Sequence, residues 1–232
     1  MALEQDVFEL IGIRLDDRQK RQFESYFEYL TEYNQITNLT TITEREDVNI
    51  KHFIDSLTLA GTVPMKDCIT LCDMGSGAGF PGIPLKIVYP HLQVVVIDSL
   101  GKRIRFLEQL LERLAITDVE LVNDRIEHVA RQRPMQFDLV TARALGNLSL
   151  ICELGLPMTK IGGRLVAFKG ENINEELDAS KPAIKILGGT LETVRTFALP
   201  RQYGNRAHVV IKKINETKGY PRPFADMIKK PL

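Results

Sequence analysis

The sequence predicts an α/β protein: a mostly parallel seven-stranded sheet flanked by helices, closed by an antiparallel C-terminal edge pair and preceded by an N-terminal helical extension. Three observations predict it. From residue 66 onward, short apolar runs alternate with segments of helical period, the rhythm of a parallel sheet covered on both faces. The last two apolar runs, 190–199 and 208–214, follow each other with no helix between them, so they pair antiparallel. The first run ends in a glycine-rich turn, Gly75-Ser76-Gly77-Ala78-Gly79-Phe80-Pro81-Gly82, a join that lets backbone approach a ligand and offers it helix N–H groups.

Helices are expected over 3–11 and 16–33. In the second, Phe23, Phe27 and Leu30 recur at three- and four-residue spacing, with Asp16 or Asp17 available as cap. The stretch 34–39 breaks that pattern. Thr43-Glu44-Arg45-Glu46 carries a capping-box signal for a helix over roughly 44–60. Strands then fall at 68–74, 93–98, 119–123, 137–142 and 164–169, alternating with helices at 81–89, 102–114, 126–131, 148–160 and 174–187. This divides the chain into a helical extension (1–65), a ligand-binding domain (66–214) and a basic tail (215–232). In the tail, Tyr220-Pro221-Arg222-Pro223 reads as extended.

A chain of 232 residues suits one large α/β domain with a small extension. No apolar run approaches the ~20 residues of a membrane span, and no basic segment followed by an apolar stretch opens the chain, so neither a membrane partner nor a secretory signal is expected. Cys68, Cys72 and Cys152 do not form a disulfide framework, and no His/Cys pair nearby completes a metal set. The expected compartment is the cytoplasm, the expected state a monomer, and no metal is expected. Charge is neutral in total but uneven. Residues 1–50 hold 11 acidic side chains against 5 Lys and Arg, and residues 195–232 hold 9 Lys and Arg against 2 acids. Attraction to phosphates is a local field, so a polyanionic partner stays open, as does a merely solvated basic tail.

Gly77-x-Gly79-x-x-Gly82 satisfies the dinucleotide fingerprint, with a strand before it and a helix after it. Asp98 ends the next strand, where a carboxylate accepts from ribose hydroxyls or caps the following helix. Asp73, immediately before the loop, separates the candidate ligands. It repels a pyrophosphate, by about 1 kcal/mol per unit pair at ~4 Å in water and about 4 kcal/mol at intermediate dielectric. S-adenosylmethionine instead brings an ammonium and a sulfonium, which the acid favours directly or through water; the alternative role for Asp73 is a loop brace. The pattern thus reads better as a methyl-donor site than as one for NAD or FAD. A parallel sheet ending in an antiparallel pair likewise resembles the class I (Rossmann-like) methyltransferase fold.

Together Asn38-Leu39-Thr40, His52-Phe53-Ile54-Asp55-Ser56-Leu57, the 73–84 loop, Asp98-Ser99-Leu100-Gly101-Lys102-Arg103, Ala142-Arg143-Ala144 and Phe168-Lys169-Gly170 resemble the glucose-inhibited division protein B family, also called ribosomal small-subunit methyltransferase G, over about 30–214. The resemblance implies S-adenosyl-L-methionine-dependent methylation of guanine N7 in a loop of 16S ribosomal RNA, in a bacterial cytoplasm. S-adenosyl-L-homocysteine is then the product, and 16S rRNA or the small ribosomal subunit the partner. It implies cofactor contacts at Gly75 and Phe80, an adenine lining from Ile126 and Glu127, and a further cofactor contact at Arg143, which matches the family's arginine after the fourth strand. Asp73, Gly77 and Asp98 complete the expected cofactor set.

Guanine N7 carries an in-plane lone pair and no proton at neutral pH, so in-line displacement at the methyl group needs no general base. Consistently, the fourth strand ends in Thr141-Ala142-Arg143-Ala144, not in the Asn/Asp-Pro-Pro-aromatic turn of many exocyclic-amine methyltransferases. Positioning alone lowers such barriers by roughly 7–11 kcal/mol in well-oriented cases. Arg143 is expected to hold the guanine or a neighbouring phosphate; the alternative is a structural ion pair. Lys169, ending the fifth strand, is expected to face the substrate opening, or else to be a solvated lysine. His52 is a candidate for stacking or phosphate contact, or a core histidine. Lys102 and Arg103 open a helix against its dipole, which points to contact with RNA or with Asp98. Arg201, Tyr203 and Arg206, between the last two strands, are candidates for a splayed-out base. A small-molecule or protein methyltransferase, an NAD(P)-dependent oxidoreductase and a non-catalytic RNA-binding assembly factor are the competing readings.

Overall fold

Helices α1 (Ala2–Ile11) and α2 (Asp17–Thr37) open the fold; the computed structural model describes residues 2–232, so Met1, at the head of the expected extension, lies outside the described residues. A reciprocal cap starts α2: the Gln19 backbone N–H donates to Asp16 Oδ1 at 2.7 Å, and the Asp16 N–H to Gln19 Oε1 at 2.9 Å. The helix runs past the expected end at 33. Asn34, which breaks the apolar pattern, is buried and fastens the outgoing chain through two 2.9 Å hydrogen bonds to the Thr40 backbone. Asn38 then ends the helix in the left-handed region, φ 46°.

The single helix expected over 44–60 is four short pieces: α3 (Arg45–Val48), a π turn (Asn49–Ile54), α4 (Asp55–Leu57) and a 3-10 turn (Thr58–Gly61). The expected capping box is absent, since Glu44 makes no side-chain cap and Glu46 is drawn to Arg201 instead. The π turn carries His52 and leads directly into Asp55, and such turns gather at functional sites.

The alternating region gives β1 (Thr70–Met74), α5 (Gly82–Val88), β2 (Gln93–Ile97), α6 (Gly101–Leu114), β3 (Val119–Val122), α7 (Ile126–Gln132), β4 (Phe137–Arg143), α8 (Leu148–Gly155), β5 (Thr159–Gly170), α9 (Asn174–Ile186), β6 (Gly189–Ala198) and β7 (Asn205–Lys213). The seven strands lie in the order β3-β2-β1-β4-β5-β7-β6. β1 to β5 are parallel, and β7 runs antiparallel between β5 and β6, as the helix-free final pair requires. The helix expected over 148–160 stops at Gly155, and residues from Thr159 join the sheet opposite Phe137. Gly155 packs so closely on the sheet that a Cβ there would lie 2.7 Å from Leu165 Cδ1. The stretch Tyr220–Pro223, expected to be extended, is non-helical, and a short helix, α10 (Phe224–Lys229), follows it, preceded by Pro223 and anchored by buried Met227.

Successive strand residues face opposite cores, so β1 sends Leu71 to one cluster and Cys72 to the other. On one face, Phe23, Tyr26, Leu30 and Phe53 of the N-terminal helices share a cluster with Leu71, Ile83 and Phe106. The other face joins Met74, Val140, Ile151, Leu154 and Ile211 to Met227 of the tail. The strand order reverses between β1 and β4, whose carboxyl ends carry Asp73 and Arg143; ligands bind at that crevice in open α/β sheets.

Candidate active site

Asp73 is fully buried at the end of β1. Its Oδ2 accepts from Ser76 Oγ at 2.5 Å and from the Gly82 N–H at 2.8 Å, and its Oδ1 accepts from Thr141 Oγ1 at 3.1 Å. Burial raises its pKa, against those three hydrogen bonds and the Arg143 charge. The carboxylate thus braces the loop from within. A buried acid must find its donors close by, and Gly82 lets it approach, since a Cβ there would lie 2.9 Å from Oδ2. From behind, Tyr26 Oη donates to the Ala78 carbonyl at 2.5 Å, so α2 holds the loop in place.

In front of the loop, a cleft of about 320 Å³ opens between Gly75, Asp98, Arg103, Ile126, Glu127 and Leu145. Gly75 has φ +67°, and a side chain there would lie 2.7 Å from Leu145 Cδ1. Asp98 is 2% exposed. It accepts from the Leu100 N–H (2.9 Å) through Oδ1, and from the Gly77 N–H and Arg103 Nη1 (both 3.0 Å) through Oδ2. A carboxylate offers about four acceptor sites, so capacity for a further donor remains. This pair explains why Arg103 tolerates the wrong end of the α6 dipole. Buried Glu127 accepts from Arg125 Nε at 2.6 Å.

A second group lies at the end of β4. Arg143 Nη1 donates to Asp55 Oδ2 at 2.9 Å and to the Lys51 carbonyl at 3.2 Å, while Nη2 lies 3.4 Å from His52 Nδ1. Its guanidinium carbon sits 5.0 Å from the centroid of the Phe80 ring, and His52 stacks on the same ring at 4.5 Å. Arg206 Nε comes within 3.5 Å of Asp55 Oδ1. Burial and the Arg143 charge hold the His52 imidazole neutral, its pKa lowered to about 3. Burial also raises the pKa of Asp55, with Arg143 and Arg206 opposing it.

His52, Phe80, Arg143 and Arg206 thus converge, and Gly75, Asp98, Arg103, Ile126 and Glu127 converge beside them. Phe80 itself is 4% exposed and stacks flat on Tyr26, so its ring supports the site from beneath. Four expected site residues stand apart. Lys169 does not face an opening: its Nζ donates to the Gly146 carbonyl and to Glu176 Oε1, both at 2.6 Å, tying β5 to α9. Lys102 reaches back to the Thr37 carbonyl at 3.1 Å, fastening α6 to α2. Arg201 is held by Glu46 (2.6 Å) and Asp6 (2.9 Å), so the acidic N-terminal region takes up that part of the basic C-terminal charge. Tyr203 is a loop anchor, donating to Asp47 Oδ1 at 2.8 Å. The sequence reading gave no role to Asp55, Arg125 or Phe224, which also border these groups. Asp55 was findable, three residues after His52 on a helical pattern. Among the described residues, no group of three or more His, Cys, Asp or Glu side chains could hold a metal ion, and no helix is long and apolar enough to cross a membrane.

Residues 19–204 match the family model described as rRNA small subunit methyltransferase G. The chain is 47% identical over 223 residues to the ribosomal RNA small subunit methyltransferase G of Acholeplasma laidlawii, covering 96% of each chain. It is 48% identical over 214 residues to the protein of that name from Bacillus cytotoxicus, covering 91% of this chain and 90% of the relative. Among solved structures, M. jannaschii TYW2 in complex with AdoMet matches with TM-score 0.53 at 15% identity, over 62% of this chain and 69% of that one. A variant of the 16S rRNA (adenine(1408)-N(1))-methyltransferase from Catenulisporales acidiphilia matches with TM-score 0.54 at 16% identity, over 65% and 87%. At these identities the structural likeness speaks for the fold, that of the class I methyltransferases.

Proposed function

This chain belongs to the rRNA small subunit methyltransferase G family and is an S-adenosylmethionine-dependent rRNA methyltransferase, and we propose that its target is N7 of one guanine in 16S ribosomal RNA. The observation that carries the reading is the juxtaposition of a nucleoside-sized cleft ending at Asp98 with the Arg143–His52–Arg206 group, across the glycine loop.

The residues fit the cofactor. Asp98 retains acceptor capacity for ribose hydroxyls, and Ile126 and Leu145 give the cleft apolar walls suited to a purine. Gly75 brings bare backbone to the cleft, and Asp73 fixes the loop from behind while keeping negative charge close to it. When bound, S-adenosylmethionine supplies a methyl group on a positively charged sulfur. Guanine N7 needs no deprotonation to attack it, and none of the residues in the Arg143 group has to act as a base. Arg143 keeps unused N–H donors beyond those given to Asp55 and Lys51, and an arginine pairs well with guanine O6 or a phosphate. The neutral His52 ring, flat on Phe80, extends an aromatic platform without adding charge beside Arg143. Arg206 offers a second cation on the same side. Catalysis then rests on holding the base in line and excluding water.

The same proposal divides the chain by task. The 1–65 extension supplies His52 and Asp55, the 66–214 domain the cofactor cleft, and the 215–232 tail a cover. A monomer in the cytoplasm fits the dispersed exposed apolar residues and the three buried free cysteines. Incubation with labelled methyl donor and ribosomal particles, followed by borohydride–aniline cleavage, tests the target. Strand scission at one guanine of the small-subunit RNA is expected; label without scission would move the methyl group off N7.

A further inference from the structure

The tail beyond the family match closes one side of the cofactor cleft. Glu153, on α8, is 1% exposed. It accepts from the Arg222 backbone N–H at 3.1 Å and from Arg222 Nε at 2.7 Å through Oε1, and from Nη2 at 2.7 Å through Oε2. A buried carboxylate met by an arginine fork and a backbone donor fixes the chain at that point. Arg131 of α7 adds a 3.1 Å hydrogen bond to the Pro221 carbonyl. Pinned there, the chain turns into α10, buries Met227, and sets Phe224 at the mouth of the cleft. Among the described residues, Phe224 is the one aromatic side chain lining that cleft, and it is 36% exposed. The Arg125 guanidinium carbon lies 4.9 Å from its ring centroid, and Arg125 is itself held by buried Glu127. A half-exposed ring, steadied by a cation and facing Ile126, Leu145, Leu150 and Leu154, forms one wall of a slot for a flat apolar heterocycle.

We propose that the 220–229 segment belongs to the cofactor site and that Phe224 packs against the adenine ring of S-adenosylmethionine. The proposal rests on the cofactor reading above and adds a binding residue outside residues 19–204, where the family match lies. Arg125 and Glu127 position the ring, and the Arg222–Glu153 clamp holds the segment that carries it.

The test is calorimetric titration of the full-length protein with S-adenosylhomocysteine, comparing Phe224→Ala, Phe224→Tyr and Arg222→Ala. Base–aromatic stacking predicts that Phe224→Ala weakens binding on the order of tenfold. Phe224→Tyr is expected to stay within about twofold, and Arg222→Ala to lose affinity together with hydrogen-exchange protection over 220–229. The KM for the methyl donor should rise in Phe224→Ala with kcat held. Because the ring is half-exposed, its loss should leave the ligand-free melting temperature nearly unchanged. Unaltered S-adenosylhomocysteine affinity in Phe224→Ala, or a melting shift without an affinity change, overturns the proposal while the cofactor reading stands. Failure of the unmodified protein to bind S-adenosylhomocysteine overturns both.

Discussion

Arg143 Nη1 lies 2.9 Å from Asp55 Oδ2, and this ion pair, with the contacts to the Lys51 carbonyl and His52, joins the end of β4 to the helical extension. The carboxylate is buried, so the pair is not a loose surface contact. Removing Arg143 leaves the buried carboxylate with Arg206 alone, at 3.5 Å, a loss that approaches the roughly 3–5 kcal/mol of a broken buried pair. Arg143→Ala should therefore lower the melting temperature as well as abolish methyl transfer to RNA, with S-adenosylhomocysteine affinity largely spared. The double variant Asp55→Asn with Arg143→Ala should recover part of the stability and none of the turnover. Loss of cofactor affinity equal to the loss of turnover would place Arg143 in the cofactor pocket instead.

Two buried histidines set an acid limit to stability. His52 and His208 have pKa values lowered to about 3, each by burial first and by a neighbouring arginine second. An unfolded histidine titrates near 6.5, so between about pH 6.5 and 3 the unfolded chain binds more protons than the folded one. The contribution is complete above about pH 6.5 and is lost as pH falls through that window, by up to about 1.4 kcal/mol per pH unit for each histidine. Asp55 and Asp73, whose pKa values burial raises, act in the opposite sense just above the ordinary carboxylate range. Urea melts between pH 7 and 4 should show the His208→Asn variant losing less stability on acidification than the unsubstituted protein. Parallel pH profiles for the two would contradict a neutral, buried His208.

The sheet was legible because its strands alternate with helices at a period that one chain can read along itself, and because β6 and β7 leave no room for a crossover. The glycine loop and Asp98 were legible for the same reason, each being local to one strand end. What sequence could not supply was long-range pairing. Lys169 looked available for substrate until Glu176 and Gly146 were seen to hold it, and Arg201 until Asp6 was found beside it from the far end of the chain. Asp73 was placed correctly beside the loop, but whether it faces a ligand or the loop's own N–H groups depends on Ser76, Gly82 and Thr141 arriving together. The end of the helix at 155 went unread because Gly155 answers to Met74 and Leu165, neither of them its neighbour in sequence.

Gly79 is the point where α2 and the loop meet most tightly. Its φ is +103°, and a Cβ there would lie 2.5 Å from Tyr26 Oη and 2.9 Å from Ile83 Cγ1. Gly79→Ala is therefore expected to cost roughly 1–3 kcal/mol through backbone strain and to weaken S-adenosylhomocysteine binding by displacing the cradle. Tyr26→Phe, which removes only the donor to the Ala78 carbonyl, should cost about 1–3 kcal/mol for the orphaned acceptor and change ligand affinity less. Thermal melts with and without S-adenosylhomocysteine separate the two. If both variants lose affinity equally, the hydrogen bond rather than the glycine conformation sets the loop.

Arg201, in the turn between β6 and β7, and Arg206, at the start of β7, should behave differently with RNA. Arg201 spends its guanidinium on two carboxylates, Glu46 and Asp6, whereas Arg206 donates to the Asn205 carbonyl at 3.0 Å and meets one carboxylate, Asp55, at 3.5 Å beside Arg143. A cation already paired with two carboxylates releases few counterions from RNA when it binds, because its charge is largely met within the protein. Arg206→Ala should weaken RNA binding and reduce the slope of log K against log salt by roughly one phosphate's worth. Arg201→Ala should leave that slope unchanged and act instead through the contact between α1, α3 and the β6–β7 loop, lowering the melting temperature slightly. Filter binding to small-subunit RNA across a salt series reads both. A slope reduced by Arg201→Ala and not by Arg206→Ala would invert the assignment and place the RNA on the acidic N-terminal side, against the field of Asp6, Glu46 and Asp47.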